Sequence, residues 1–221
     1  MKKILILLSL SLGCFCAHSQ KFDAAGTGNG FNNNLRQFAV QKIEKVSNGS
    51  SLYSDKAPDI YLFEKFTDSE IHNISTKDSV LKAKTNYNIL KDRFEILIND
   101  DLYLVDKNVI TKIIVGGKTF KPSASTNKNY YELITSNNNV KLIAYNEGRF
   151  IEARTQTLGI IETKIKKIIV AGLIINNNEK KMPKKKTEVF DLLQLNDKKR
   201  KEFKKIKLKN IEAVKNLIDS L

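Results

Sequence analysis

The chain has no tryptophan, only two cysteines, two histidines and three prolines, and just five arginines in 221 residues. Both cysteines, Cys14 and Cys16, and one histidine, His18, fall within the first twenty positions. The remaining two hundred residues therefore carry no thiol. That excludes a disulfide framework, thiolate metal ligation and a cysteine nucleophile from the body of the protein. His72 is the one histidine left there, so any triad or imidazole-metal chemistry has to pass through it. The N-terminal apolar stretch, Ile4 to Leu12, covers nine positions. A helix needs roughly twenty apolar residues to cross a bilayer, so no transmembrane span is expected in the mature chain.

What stands at the N-terminus reads as an export signal. Lys2 and Lys3 supply a basic start, Ile4 to Leu12 an apolar run, and Ala17-His18-Ser19 a small-x-small cleavage site ahead of Gln20. Residues 1–19 are expected to be removed as a signal peptide, which sends the protein beyond the inner membrane, to the periplasm. Gly13-Cys14 offers a second outcome, an outer-membrane lipoprotein acylated on Cys14. Against it, Ser11 stands where a large aliphatic residue is usual, and the signal would be only thirteen residues long. Secretion is a third.

Charge is the next asymmetry. The full chain carries +14, and lysine outnumbers arginine 33 to 5. Arginine is the residue suited to bidentate reading of phosphates and bases, and its scarcity argues against nucleic acid. Isoleucine and asparagine are also abundant, the mark of an AT-rich coding sequence, so part of the basic balance reflects codon usage. Its placement says more: Lys180 to Lys209 holds 13 basic and 4 acidic residues.

Along the chain, residues 20–34 are rich in Gly and Asn and read as a mobile leader. Leu35, Phe38, Ala39, Ile43 and Val46 fall near helical spacing, which predicts a short helix. After a short apolar run at Ile60 to Phe63, strand patterns dominate. Leu81, Ala83, Thr85, Tyr87 and Ile89 alternate with polar residues. Phe94 to Ile98 and Leu102 to Val105 form a hairpin across Asn99-Asp100-Asp101, and Ile110 to Val115 and Lys118 to Phe120 form another across Gly116-Gly117. Tyr130 to Thr135 and Val140 to Tyr145 make a third, and Arg149 to Ala153 and Lys164 to Ile175 read as further strands. The aromatics on these runs, Tyr61, Phe63, Tyr87, Phe94, Tyr103, Phe120, Tyr131 and Tyr145, are candidates for the core.

Helical periods return near the end: Val189 to Leu193, Asp197 to Lys205, and a stripe of Ile211, Val214, Leu217, Ile218 and Leu221 with Asn210 as its N-cap. The expected fold is α+β: an antiparallel meander, or a partly closed barrel or roll, of about seven to nine strands, followed by C-terminal helices. The helix and β domain span 35–178, and a lysine-rich linker with helices follows at 179–221.

The runs YLFEKF (Tyr61 to Phe66), TNYNILKDRFEI (Thr85 to Ile96), VGGKTF (Val115 to Phe120) and YYELI (Tyr130 to Ile134) together resemble a family of exported envelope proteins of unknown function common in the Bacteroidota. That family pairs a YL-containing strand with an RYN-like strand, an EF-like strand, a G-x-x-F hairpin and a lysine-rich helical tail. Thr85-Asn86-Tyr87-Asn88 stands at the RYN position without its arginine. The likeness spans roughly Ser50 to Leu221 and implies an envelope location, with no reaction attached.

For chemistry the sequence offers little. His72 sits in a polar context, Asp68-Ser69-Glu70-Ile71-His72-Asn73, and reads as a loop residue. Asp100 and Asp101 lack the alternating array of a calcium loop and read as a turn. Gly26-Thr27-Gly28-Asn29-Gly30 follows no strand and opens no helix, as a phosphate loop must. No catalytic, cofactor or metal residues are assigned. Lys198, Lys199, Arg200, Lys201, Lys204 and Lys205 lie near Phe203 and Ile206 on one predicted helix, an arrangement suited to an anionic lipid or polymer surface. The expected function is a non-catalytic envelope module that binds a protein or an anionic cell-surface component. The alternatives are a carboxylate-based hydrolase of envelope polysaccharide or peptide, and a lipid-anchored accessory subunit of an outer-membrane assembly.

Overall fold

Period-two alternation makes most of this chain extended, and asparagine and glycine set where it turns back. The computed structural model describes residues 21–23, 38, 41–42, 59–74, 79–99, 101–125, 127–154 and 161–221. They form strands β1 (Lys21–Asp23), β2 (Gln41–Lys42), β3 (Thr67–Asn73), β4 (Val80–Asn88), β5 (Arg93–Ile98), β6 (Asp101–Leu104), β7 (Ile110–Val115), β8 (Lys118–Pro122), β9 (Tyr130–Asn137), β10 (Val140–Arg154), β11 (Ile161–Ile175) and β12 (Asn178–Lys181). Helices α1 (Lys186–Leu192), α2 (Asp197–Glu202) and α3 (Ile211–Asp219) follow. The sheet runs β12-β11-β10-β9-β8-β7-β3-β4-β5-β6-β2, with β1 added in parallel to β4.

The α+β architecture is the one expected, and the sheet is open. It is also larger than expected among the described residues. Arg149–Ala153 continues β10 instead of starting a strand, and Lys180 and Lys181, read as linker, belong to β12. Gln41 and Lys42 are extended against Leu104 and Tyr103, so the helix expected over 35–46 is not helical there. Lys21–Asp23, read as leader, pairs with Val80–Lys82. His72, read as a loop residue, lies within β3 opposite Val80 and Lys112. Residues 1–20, with the signal peptide and Cys14, and the Gly26–Gly30 segment lie outside the described residues.

Asparagine supplies the reversals. Asn99, Asn138, Asn176 and Asn177 adopt positive φ at the β5–β6, β9–β10 and β11–β12 hairpins, a conformation its short polar side chain tolerates better than most. At the β7–β8 hairpin Gly116 and Gly117 take φ of 56° and 74°, as a primed turn demands. A Cβ on Gly116 would also sit 2.7 Å from the Phe63 ring.

Residues opposite one another across a ladder share a face. On one face Ile71, Leu81, Ile113, Phe94, Ile96 and Phe120 are buried and meet Phe38 and Tyr130. Phe94 stands 5.0 Å from Tyr130 and 5.1 Å from Phe120, both edge to face, an arrangement worth about 1 kcal/mol per pair beyond area burial. Farther along the same face, Leu142 and Leu173 are covered by Val189, Phe190, Val214, Leu217 and Ile218 from the helices. Between the two clusters runs a polar bar: Lys118 Nζ pairs with Glu132 Oε1 at 2.7 Å, and Asn146 Nδ2 donates to Glu132 Oε2 at 3.1 Å.

The helices are fastened at their ends. Asn210 accepts the Ala213 amide and Asn196 the Lys199 amide, each filling an otherwise unsatisfied first-turn donor. Asn137 Nδ2 donates to Ile218 O at 3.0 Å, and the Thr135 hydroxyl donates to Asp219, so the last turn of α3 is tied to β9.

Candidate functional site

Of the six cationic residues singled out from sequence, two are spent on the fold. Arg200 donates from Nε to Leu195 O at 2.8 Å and from Nη2 to Asp191 Oδ1 at 2.7 Å, clamping the α1–α2 connection. Lys199 Nζ reaches Ser220 Oγ at 3.2 Å, bridging α2 to the end of α3. Lys198, Lys201, Lys204 and Lys205 are exposed and have no ion-pair partner among the described residues. Lys180, Lys181, Lys184, Lys207 and Lys209 are likewise exposed without an ion-pair partner among the described residues, Lys181 on the sheet face opposite the helices. Phe203 and Ile206 pack inward against the helix-side core with Leu208. The apolar side of the expected amphipathic helix is thus used up internally, and the outer surface of this layer is mostly cationic, with exposed Asp197 and Glu202 among the lysines.

Carboxylates divide into buried struts and an open cleft. Glu95 is 2% exposed on the sheet face opposite the aromatic cluster. Its Oε1 accepts Arg93 Nε at 2.7 Å and Asn88 Nδ2 at 3.2 Å, and its Oε2 accepts the Tyr61 hydroxyl. Beside it, buried Asn86 donates to Phe63 O at 2.9 Å and Lys65 O at 3.2 Å while accepting the Phe63 amide at 3.1 Å. These are the residues of the YLFEKF and NYN…RFE runs, separated in sequence and joined here. Their alternation with the core residues Tyr87, Phe94 and Ile96 placed them on the outer face, but pairing with the 61–66 segment carries no local signal. With several donors on one carboxylate, the network holds that segment against β4 and β5. An unpaired buried carboxylate would be costly.

A cleft of about 830 Å³ opens where β3, β4 and β7 meet the end of β5. Asp68 and Glu70 line it from β3, opposite Lys84 and Lys82 of β4, with Ile114 and Gly117 beside them. The acids and bases alternate as cross-strand pairs, which balances charge across the cleft. His72 lies two residues beyond Glu70, whose Oε2 is 3.8 Å from Nε2, too long for a hydrogen bond. That Nε2 is buried without a hydrogen-bond partner. Burial pushes the imidazole below its ordinary range, Lys112 pushes the same way, and Glu70 opposes them. His72 is therefore neutral at pH 7.

The tyrosines are similarly committed. Burial raises the Tyr87 phenol, and Asp92, which accepts a hydrogen bond from its hydroxyl, raises it further. Burial and then Glu179, which also accepts Ser123 Oγ at 2.7 Å, do the same to Tyr145. Both phenols stay protonated as donors. Among the described residues no group of three or more His, Cys, Asp or Glu side chains converges as metal ligands, and no helix is long and apolar enough to cross a membrane. Asp101 opens β6 instead of lying in a turn.

No protein-family model, curated protein or solved structure matches this chain.

Proposed function

We propose that the protein is a non-catalytic exported module of the cell envelope that docks on an anionic lipid surface through its helical layer. The observation that carries this is the solvent-facing lysine set, Lys198, Lys201, Lys204 and Lys205, exposed without ion-pair partners among the described residues. Because Phe203 and Ile206 face the core, binding is peripheral and electrostatic, without insertion. Lysine near an anionic membrane contributes about 1 kcal/mol, and salt weakens the attraction.

Sedimentation with phosphatidylglycerol vesicles tests it. Replacing Lys198, Lys201, Lys204 and Lys205 with Gln, while keeping the structural Lys199 and Arg200, reduces partition by at least about tenfold at low salt. Unchanged partition, or equal binding to neutral phosphatidylcholine vesicles, contradicts the proposal.

The cleft with Asp68 and Glu70 favours a second reading, a carboxylate-based hydrolase of envelope polysaccharide or peptide. Turnover of isolated envelope polysaccharide or peptide that disappears in both Asp68→Asn and Glu70→Gln would establish it over the binding module.

A further inference from the structure

The cleft where β3, β4 and β7 meet the end of β5 holds charge that the fold leaves uncommitted. Alternation puts Asp68, Glu70, Lys82, Lys84, Leu97 and Ile114 on one face of the sheet, opposite the aromatic cluster. Strand registers order them across that face. Ile114 stands opposite Glu70, Glu70 opposite Lys82, Asp68 opposite Lys84, and Lys84 opposite Leu97. An acidic row and a basic row therefore lie one strand apart, about 4.8 Å. Outside each row stands a half-buried apolar side chain, Ile114 on the acidic side and Leu97 on the basic side.

The protein neutralises neither row. Asp68, Lys82 and Lys84 have no ion-pair partner among the described residues, although acids and bases face each other in register. Glu70 has only His72 beside it, at 3.8 Å and neutral. At the margins Asp23 of β1 is in register with Lys82, and Lys112 of β7 with His72, adding one charge of each sign. The balance favours neither a purely anionic nor a purely cationic ligand. The two rows complement one molecule that carries both charges.

Spacing and the flanking residues select that molecule. Two extended residues span at most about 7 Å, so a dipeptide crossing the strands sets its ammonium over Asp68 and Glu70 and its carboxylate over Lys82 and Lys84. Its first side chain then falls toward Ile114 and its second toward Leu97. A zwitterionic lipid headgroup also carries both charges, but its ammonium end bears no apolar group and would leave Ile114 uncovered. The cleft volume of about 830 Å³ lies in the range of small-ligand sites. We infer that this cleft binds short apolar peptides by their free ends, the amino end at Asp68 and Glu70 and the carboxyl end at Lys82 and Lys84. The inference does not rest on the lipid-docking reading, which uses the helical layer, and it requires no turnover in the cleft.

Amide NMR shifts of the full chain titrated with the dipeptide Leu-Leu test the site, because they report binding without turnover. Leu-Leu moves the amides of Glu70, Lys82, Lys84 and Ile114. N-acetyl-Leu-Leu and Leu-Leu amide each bind about tenfold more weakly, having lost one charged end. Asp68→Asn with Glu70→Gln lowers Leu-Leu binding to the level of the acetylated peptide and leaves binding of that peptide unchanged. Lys82→Gln with Lys84→Gln does the same at the carboxyl end, where Leu-Leu amide is the unaffected ligand. The two pairs are separate variants, so either one decides if the other fails to fold. Equal binding of free and blocked peptides, no shifts at millimolar Leu-Leu, or shifts confined to residues outside the cleft overturns the inference. Tighter binding of phosphoethanolamine than of Leu-Leu overturns it too, by showing a headgroup site.

Discussion

The aromatic half of the sheet and its helix-covered half bury the same face by different means. Around Phe94 the face is filled by side chains of the sheet itself, Tyr87, Phe120 and Tyr130. Around Leu142 and Leu173 it is closed by Val214, Leu217 and Ile218, carried on elements that follow the sheet in sequence. The polar bar of Lys118, Glu132 and Asn146 lies between them. The first half keeps its carboxylate Glu95 inside, neutralised by Arg93, while the second carries lysines on its outside. One half is built to hold together, and the other also presents a charged surface.

The sharpest way to break this division is Phe94→Ala. It removes the ring that touches three other aromatics and costs about 4 kcal/mol, read as a large drop in urea midpoint. Leu217→Ala costs about 3 kcal/mol but acts on the helical layer, so exchange of α3 amides speeds up before those of β4 and β5. Simultaneous loss in both regions would show the two clusters to be one cooperative unit. Glu95→Ala costs about 2 kcal/mol because it leaves Arg93, Asn88 and Tyr61 without their acceptor, and Glu95→Gln costs less. Equal effects of the two would remove the charge from the explanation.

The smallest effect is a pH dependence. His72 binds its proton more weakly in the folded chain than at the unfolded value of about 6.5. The unfolded state then holds more protons as pH falls through 6.5, so stability declines there and levels off below the folded pKa. In His72→Asn the slope just below about pH 6.5 flattens, and an unaltered slope assigns it to other groups.

Much of the fold was legible because hairpins are local: Asn99, Gly116-Gly117 and Asn138 mark three of the turns, and alternating residues mark the strands between. Asn210 announced α3 for the same reason. The two-residue β2 and three-residue β1 were not legible, because such short pairings depend on the partner strand and not on their own periodicity. His72 was misplaced for a related reason. A strand with polar residues on both sides of Ile71 carries no clear alternation, and β3 is held by neighbours on both edges. At the candidate site, the lysine run was visible as charge. That Arg200 and Lys199 serve the fold, and that Phe203 turns inward, depends on Leu195, Asp191 and Ser220, whose positions no local pattern reveals.

Lysine footprinting on phosphatidylglycerol vesicles tests the contrast between the halves most directly. With the full chain bound, acetylation of Lys198, Lys201, Lys204 and Lys205 falls while Lys82 and Lys84 beside the cleft react as in solution. Protection of Lys82 and Lys84 with the helical lysines still reactive would contradict the account and move the binding surface to the other half of the sheet.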